Sequence, residues 1–589
     1  MIYIEYLDNY RLKCWHEKRK SLALAFSSLI SARFSKKEKT WSFDLRELPK
    51  LVYNLDTLKI TDRVMDDKTV EEFVKYANSE KDLNFIKTGQ NNFILDSVKF
   101  KTKQYTEQKT GSLYLLQRNK SGIFDEMGLG KTKQVLDVLQ YWKTHKMIKG
   151  GGIVICPNTA KFSWADEIKM HSNFSYFEIG NGTELCRRDI TFVRTSPRDL
   201  FVVHMDCLRY ITDDLAKLNP GFVFVDEYHF FKNMGNARVP GSLRTQALFY
   251  LINEWEKKNK NLKVIIMTGT PVAEKPEEAY SVLQMLMPGF ISSYSRFVGR
   301  FCEYEDKFFY IKNKTSGKPY RKKIRQVAGY KNLRELKDLL ESVGIRRLKS
   351  EVEDFPEKIE IKKYVVLEGQ HLKDYEKVKI AMRQEIIQLQ KSGTPFNVKN
   401  KFIRLLQTIN NPAILGGVNY SCKYDLLDQL LEEIMNNPDE KVILWSIFRK
   451  AIELLYRRYN NKYGCDCIYG DVKIEDRGDI IKRFNNDVRP RILVCNPQAA
   501  GVSLNLQRAQ TAIYVDQMFS LTQRLQSEDR IHRRSSKGIV RIISIVAKGT
   551  IDEGVAELLN QKKNLKDALL ISDDLLIEQN KELLLKFLE

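Results

Sequence analysis

At 589 residues, with 43% hydrophobic and 29% charged side chains, the chain is too long for one core, and by length it calls for about three to four domains. The formal charge is +22 with both signs abundant, a surplus that favours nucleic-acid backbones, with anionic membranes as the competing partner. No apolar run approaches the roughly 18 to 20 residues of a membrane-spanning helix, the start Met1-Ile-Tyr-Ile-Glu-Tyr lacks a secretory pattern, and nine scattered cysteines without a CxxC pair predict reduced thiols rather than disulfides or zinc.

Residues 1–95 carry no catalytic constellation. Trp41-Ser-Phe-Asp-Leu-Arg-Glu-Leu-Pro49 predicts a short strand entering a helix, just after Lys36, Lys37 and Lys39, and a second helix is expected around Val70 to Tyr76. This is a small α+β accessory module, for which a structural appendage and a substrate-recognition role are both open.

Residues 96–290 alternate strands and helices as a parallel α/β sheet requires. Ile123 and Phe124 end a strand, Gly128, Leu129 and Gly130 make a tight loop, Lys131 and Thr132 come next, and Val135, Leu136, Val138, Leu139 and Trp142 give the apolar stripe of a helix. Strand, glycine loop, Lys-Thr and helix is a recipe for gripping a triphosphate. Glycines let backbone N–H groups approach the phosphates, the lysine neutralises the outer oxygens, and the threonine hydroxyl takes Mg²⁺. Asp125 stands where the usual first glycine of such a loop would be. Further strands are expected at Gly151-Gly-Ile-Val-Ile-Cys-Pro157, Phe201-Val-Val-His204, Gly221-Phe-Val-Phe-Val225 and Lys263-Val-Ile-Ile-Met-Thr-Gly-Thr-Pro271. The third delivers Asp226 and Glu227 at its carboxyl end, where open α/β sheets place ligands. Asp226 suits the metal's shell and Glu227 a general base for water. His229 either couples this pair to the next motif or packs as an ordinary core histidine.

Residues 291–420 predict a mainly helical insertion and inter-lobe linker, with helices at Leu333–Leu340 and Leu372–Leu389. A basic hairpin or loop is expected around Phe308–Lys312 and Arg321–Arg325, either a nucleic-acid contact or a solvated loop. Alternation returns over 421–555, with strands at Lys441–Ser446, Arg491–Cys495, Thr511–Asp516 and Val540–Val546, and 556–589 reads as a charged helical tail. Within this second half, Arg530 and Arg533 lie three apart, on one face of an expected helix. Guanidinium groups reaching across a cleft stabilise a transferring phosphoryl group, an effect of roughly 10³ to 10⁵ in rate. A solvated basic helix face is the competing reading.

As an ordered set these segments resemble the motor of superfamily 2 helicase-like ATPases, in the Swi/Snf-type DNA translocase branch. The resemblance rests on Asp125-Glu-Met-Gly-Leu-Gly-Lys-Thr132, Asp226-Glu-Tyr-His229 with Lys232-Asn233, Gln108 with Gly111, Cys156-Pro157 with Trp164 and Glu167, and Thr268-Gly-Thr-Pro271. Arg346-Arg347 with Lys349, Asn411-Pro412, Tyr469-Gly470 with Arg477, Gly501 with Leu504-Asn-Leu506, Gln526 to Arg533, and Gly549 to Glu553 continue the order. Departures include Glu274, Ser503, Phe519-Ser520 and Arg534-Ser-Ser536. The segment around Trp41 also resembles, over a short stretch, the HARP-like module of annealing helicases.

The resemblance implies an α/β fold of two RecA-like parallel-sheet lobes with ATP and Mg²⁺ between them. Its nucleotide site would be Gln108, Asp125, Glu126, Met127, Gly128, Leu129, Gly130, Lys131 and Thr132, with Thr132 and Asp226 on the metal. Catalysis would fall to Lys131, Asp226, Glu227, Gln526, Arg530 and Arg533, and contacts to DNA phosphates to Lys161, Lys232, Thr268 and Asn505. The implied activity is ATP-driven translocation on duplex DNA, remodelling forks, branched DNA or protein–DNA complexes, in repair or recombination. A strand-separating DNA or RNA helicase and a non-catalytic DNA-binding scaffold are the alternatives. The expected partner is DNA without sequence preference and not a membrane, and the expected location is the cytoplasm of a bacterium or infected host cell, or the nucleus if eukaryotic.

Overall fold

The structure is a computed structural model that describes residues 2–587, apart from 9, 17–24, 27, 59, 61–62, 88–94, 96, 181, 236–240, 273–274, 313–318, 353–354, 392–397, 501–505, 535, 537 and 565–586. Three sheets and one long hairpin organise these residues.

The first sheet belongs to the N-terminal module. Its strand order is Arg33–Ser35, Thr40–Asp44, Arg11–His16, Ile2–Tyr6 and Arg63–Met65, antiparallel except at the last pair. Alternation sets its face: Ile2, Ile4, Leu12, Cys14 and Phe43 turn inward against Leu48, Leu51 and Leu55 of the helix Leu48–Thr57. The second expected helix runs longer than its apolar signal, over Asp67–Lys87. The module is fastened to the next sheet's layer. Arg296 donates to the carbonyls of Ala32, at 2.6 Å, and Leu29, the Arg46 guanidinium lies 4.8 Å over the Phe290 ring, and Lys50 pairs with Glu335 at 3.0 Å.

The second sheet has seven parallel strands in the order Gly344–Ile345, Lys120–Ile123, Lys263–Met267, Phe222–Val225, Gly152–Cys156, Leu200–His204 and Tyr176–Glu178. Its central strands are apolar at nearly every position because helices cover both faces. Phe222 to Val225 are all buried, with Val223 and Val225 facing one helical layer and Phe222 and Phe224 the other, beside Trp142. The third sheet has six parallel strands: Lys358–Val365, Val540–Ala547, Thr511–Tyr514, Val442–Trp445, Ile492–Cys495 and Cys465–Ile468. Two parallel sheets sandwiched by helices are the expected α/β architecture.

Residues 291–420 depart from the expected helical insertion, since they build parts of both lobes. Helix Leu333–Val343 packs Leu336, Leu340 and Val343 into the first lobe's core, and Gly344–Ile345 adds an edge strand beside the phosphate-loop strand. Lys358–Val365 then opens the second sheet, and helices Gly369–Lys391 and Val398–Asn410 come after it. The basic segment forms a long antiparallel hairpin of Cys302–Lys312 and Pro319–Tyr330. The two-residue strand escaped notice because nothing so short has a period, and Lys358–Val365 because its charged alternation looks like surface. The expected tail falls largely outside the described residues. Among the described residues no helix is long and apolar enough to cross a membrane.

Candidate nucleotide cleft between the two sheets

The strand Lys120–Ile123 runs into the loop 125–130 and the helix Lys131–Thr144. Gly128 and Gly130 adopt φ of 89° and 77°, a left-handed conformation that glycine reaches without cost. Close approach matters as well. A Cβ on Gly130 would lie 2.4 Å from Gln108 Nε2, so loop and glutamine fit around each other. Gln108 is the third residue of the helix Thr106–Leu116, and its Oε1 accepts the Tyr105 N–H at 3.2 Å, a capping arrangement that fixes the amide. Its Nε2 reaches the Leu129 carbonyl at 3.4 Å. Lys131 Nζ donates to the carbonyls of Asp125 (2.8 Å) and Glu126 (3.3 Å). Burial pushes its ammonium pKa down, with Glu227, Asp125 and Asp226 acting the other way.

Five loop residues line the cleft: Met127, Gly128, Gly130, Lys131 and Thr132. Asp125, Glu126 and Leu129, expected on the nucleotide, instead shape the loop from behind. Asp125 is fully buried, takes Arg347 Nε at 3.0 Å on Oδ1 and Gln134 Nε2 at 3.1 Å on Oδ2, and pairs with the second Arg347 nitrogen as well. This explains its place in the loop: a glycine there would leave Arg347 without its carboxylate. Gly111 makes room for the brace, since a Cβ would come 1.8 Å from Gln134 Oε1 and 2.4 Å from Arg347 Nη2. Glu126 Oε2 accepts the Lys349 N–H at 2.7 Å, and the Leu129 carbonyl also faces Gln134 Nε2 at 3.4 Å.

The strand Phe222–Val225 carries Asp226 and Glu227 to the same cleft. Asp226 Oδ2 accepts from Trp164 Nε1 at 2.9 Å and Oδ1 from the Glu227 N–H at 2.8 Å. Burial and then repulsion from Glu227 raise the Asp226 pKa to about 6, against the pull of Trp164 and Lys131. Burial also works to raise Glu227, but His229, Lys131 and Arg530 outweigh it and leave that carboxyl below its ordinary range. Glu227 holds φ 46° and ψ 51°, a left-handed conformation that is uncommon for a side-chain-bearing residue and typical of functional sites. His229 Nδ1 stands 3.2 Å from Glu227 Oε2 and 3.4 Å from Thr268 Oγ1, so of its two readings the structure favours the coupling one. A divalent cation suits this end of the cleft. The Asp226 and Glu227 carboxylates and the Thr132 hydroxyl all line it, an oxygen donor set of the kind hard cations take.

From the second lobe come Asp529, Arg530, Arg533 and Arg534. The helix Leu521–Glu528 stops short of them, so Arg530 and Arg533 sit on the irregular segment after it rather than on the expected helical face. Backbone carbonyls aim them instead: Gln526 O accepts from Arg530 Nε at 3.1 Å and Asp529 O from Arg533 Nε at 3.2 Å. Gln526 thus acts on Arg530 through its main chain, and its side chain is not among those lining the cleft. Arg530 crosses to the first lobe, with Nη2 3.7 Å from Met127 Sδ. Burial and then Arg533 lower its pKa to about 10, opposed by Glu227, Asp529 and Asp226. Burial lowers Arg533 as well, with Glu167 and Asp529 acting the other way, and a polyanion between the arginines and Lys131 would relieve their repulsion.

The cleft encloses about 600 Å³, room for a small-molecule ligand. Tyr105, Gln108 and Arg534 also line the cleft. The Arg534 guanidinium lies 3.6 Å over the Tyr105 ring and pairs with Glu107. Sequence reasoning missed Tyr105, Glu107 and Gln134; the spacing from Tyr105 to Gln108, a helix cap and its third residue, was the available signal for the first.

Of the expected DNA contacts among the described residues, two are buried. Lys161 is buried and donates to the Ile179 carbonyl at 2.6 Å, and Thr268 is fully buried with its Oγ1 accepting from the Thr270 N–H at 3.1 Å. Lys232 is partly exposed and pairs with Glu278 at 2.8 Å, while Asn505 lies outside the described residues.

The chain is similar in sequence to several curated proteins. An "Uncharacterized ATP-dependent helicase" of Mycoplasma pneumoniae is 26% identical over 570 residues, 92% of this chain and 50% of that protein. The human "DNA annealing helicase and endonuclease ZRANB3" is 25% identical over 492 residues, 82% of this chain and 42% of that protein. The chain therefore spans about half the length of the curated relatives it matches. Among solved structures, a Sulfolobus solfataricus SWI2/SNF2 ATPase core in complex with dsDNA covers 83% of this chain and 97% of that chain at 22% identity, with a TM-score of 0.36. The SNF2-related domain family matches residues 90–413, more than half the chain, and the helicase conserved C-terminal domain matches 422–535. The phosphate loop and carboxylates fall in the first match and the arginine turn in the second: the chain belongs to the SNF2-related family.

Proposed function

We propose that the chain is an ATP-driven motor that hydrolyses ATP and moves on double-stranded DNA, acting on forks, branched DNA or protein–DNA complexes. The observation that carries this reading is the meeting, in one cleft, of Lys131, Asp226 and Glu227 from one lobe with Arg530 and Arg533 from the other. ATP would lie with its phosphates on Gly128, Gly130 and Lys131 at the start of the helix Lys131–Thr144, where the helix dipole favours negative charge. Its base would point to Gln108 and Tyr105. Thr132 and Asp226 would hold Mg²⁺, which when bound supplies charge neutralisation to the outer phosphates. Glu227, kept anionic, takes the proton of the attacking water, and Arg530 and Arg533 stabilise the charge that spreads over the transferring phosphoryl. Because these arginines belong to the second lobe, chemistry requires closure, and product release permits opening. That gating turns hydrolysis into relative motion of two DNA-gripping lobes.

DNA would be held through its phosphates without reading of sequence. Of the expected contacts among the described residues, Lys232 is the one with substantial exposure, and it is the residue we assign to the backbone in duplex-bound protein. The relatives named as DNA helicases support DNA as the track. The test is ATP turnover, compared with Lys131→Ala, on duplex, single-stranded DNA, RNA, forks and four-way junctions. Stimulation by duplex or branched DNA is expected. Stimulation by RNA alone would sink the duplex-DNA reading, and turnover no greater than that of the variant on every substrate would leave a DNA-binding scaffold.

A further inference from the structure

One lysine touches both halves of the cleft. Lys349 lies on the segment between the lobes. Its backbone N–H donates to Glu126 Oε2 at 2.7 Å, and its Cε stands 3.5 Å from the point where a Cβ on Gly128 would sit, so it rests directly on the phosphate loop. Two residues earlier, Arg347 grips Asp125 of the same loop. On the other side Lys349 Nζ pairs with the Asp529 carboxylate and donates to the His532 carbonyl at 2.9 Å, while also lying 5.1 Å over the Phe355 ring. Its place is thus fixed at both ends.

Asp529 is the residue that needs holding. It immediately precedes Arg530, lines the cleft, and lies close enough to Arg530, Arg533 and Lys131 to favour the charged form of each. An anion placed among three cations competes with phosphate for them. A guanidinium paired with a carboxylate has its donors engaged and its charge offset, which is the opposite of what phosphoryl transfer asks of it.

We propose that Lys349 is a positioning residue for the arginine pair: by holding the Asp529 carboxylate to one side it leaves Arg530 and Arg533 to the phosphates, and because its backbone is tied to Glu126 it does so in step with the shape of the phosphate loop. The inference rests on the ATP-hydrolysis reading above. It makes Asp529 a built-in inhibitor and Lys349 its keeper.

The experiment is a double-mutant cycle on the full chain with Lys349→Met, Asp529→Asn and the double variant, reading kcat and KM for ATP with duplex DNA, and affinity for ADP–beryllium fluoride. Lys349→Met is expected to lower kcat roughly tenfold, the worth of about one ion-pair interaction, with KM within about twofold. Adding Asp529→Asn to that background restores most of the loss, and Lys349→Arg, which keeps the charge, stays near wild type. A structural role alone would not be rescued by removing a second charge. If Lys349→Met does not fold, Asp529→Asn and the double variant are compared directly: equal kcat is expected, and a tenfold fall in the double overturns the inference. So does an unchanged kcat in a folded Lys349→Met protein. A wild type that neither binds ADP–beryllium fluoride nor turns over ATP more than Lys131→Ala defeats the hydrolysis reading itself, a result distinct from a wild type that works and a cycle that is additive.

Discussion

The phosphate loop and the arginine turn face each other across the cleft and are built on different principles. The loop is held by its own surroundings in the first lobe: left-handed glycines, a capped helix offering Gln108, and the Asp125–Arg347–Gln134 brace behind it. The arginine turn has no regular element of its own. Carbonyls at Gln526 and Asp529 aim its side chains, and contacts from the other lobe and the segment between the lobes complete its setting, with Arg530 beside Met127, Asp529 on Lys349 and Arg534 on Tyr105 and Glu107. In the proposed motor, a preformed loop would bind ATP before the lobes close. A turn whose setting is completed across the cleft would contribute only afterwards, so the proposed binding and chemistry divide between the two lobes.

The sharpest way to break this contrast is to remove one arginine. Arg530→Ala should lower kcat by roughly 10³ or more while leaving ATP affinity within a few-fold, because the loop is intact. Lys131→Ala should instead weaken binding and turnover together. Equilibrium binding of a fluorescent ATP analogue beside steady-state turnover separates the two, and parallel losses in both variants would erase the distinction.

A smaller effect comes from the carboxylate end. Burial and repulsion from Glu227 raise the Asp226 pKa to about 6, above the ordinary aspartate value. A raised acid pKa means that the ionised carboxylate destabilises the nucleotide-free fold at neutral pH, and that this cost fades as pH falls from above 6 towards 4. Asp226→Asn should therefore stabilise the nucleotide-free, metal-free protein more at pH 8 than at pH 4. Thermal melts at the two pH values check the sign. A variant that is less stable at pH 8 would contradict the assignment of an under-compensated carboxylate.

The loop's brace sets the third expectation. Gly111→Ala pushes a methyl into Gln134 and Arg347, and overpacking of this kind costs about 1–3 kcal/mol. The change should lower Tm and weaken nucleotide binding while sparing Arg530, so bound ATP should still turn over at close to the wild-type rate. A fall in the saturated rate to match Arg530→Ala would place the brace in the chemistry instead.

The sequence exposed these two regions unequally. Strand–loop–helix with Lys131 and Thr132, and Asp226-Glu227 after four apolar residues, are local patterns, and the structure brings them to one cleft because each is encoded within about ten residues. The arginines were legible as a pair but not in their setting. Spacing of three suggests a helix, whereas the helix ends at Glu528 and tertiary contacts shape the turn beyond it. Lys161 shows the same limit: a lysine in a basic chain looks like a surface contact until the fold turns it to the Ile179 carbonyl. Asp125 looked like an imperfect glycine, and its partner Arg347 lies more than two hundred residues away. Residues whose role depends on a partner far along the chain carry no local signature.

The small N-terminal sheet is fastened to the first lobe by Arg296, Arg46 and Lys50, with Ile30 inserted in that lobe's core, while the arginine turn belongs to the other lobe. Sheet and first lobe are therefore joined as one unit. In the proposed motor, opening and closing of the cleft would carry the N-terminal sheet along with the first lobe and move it relative to the second.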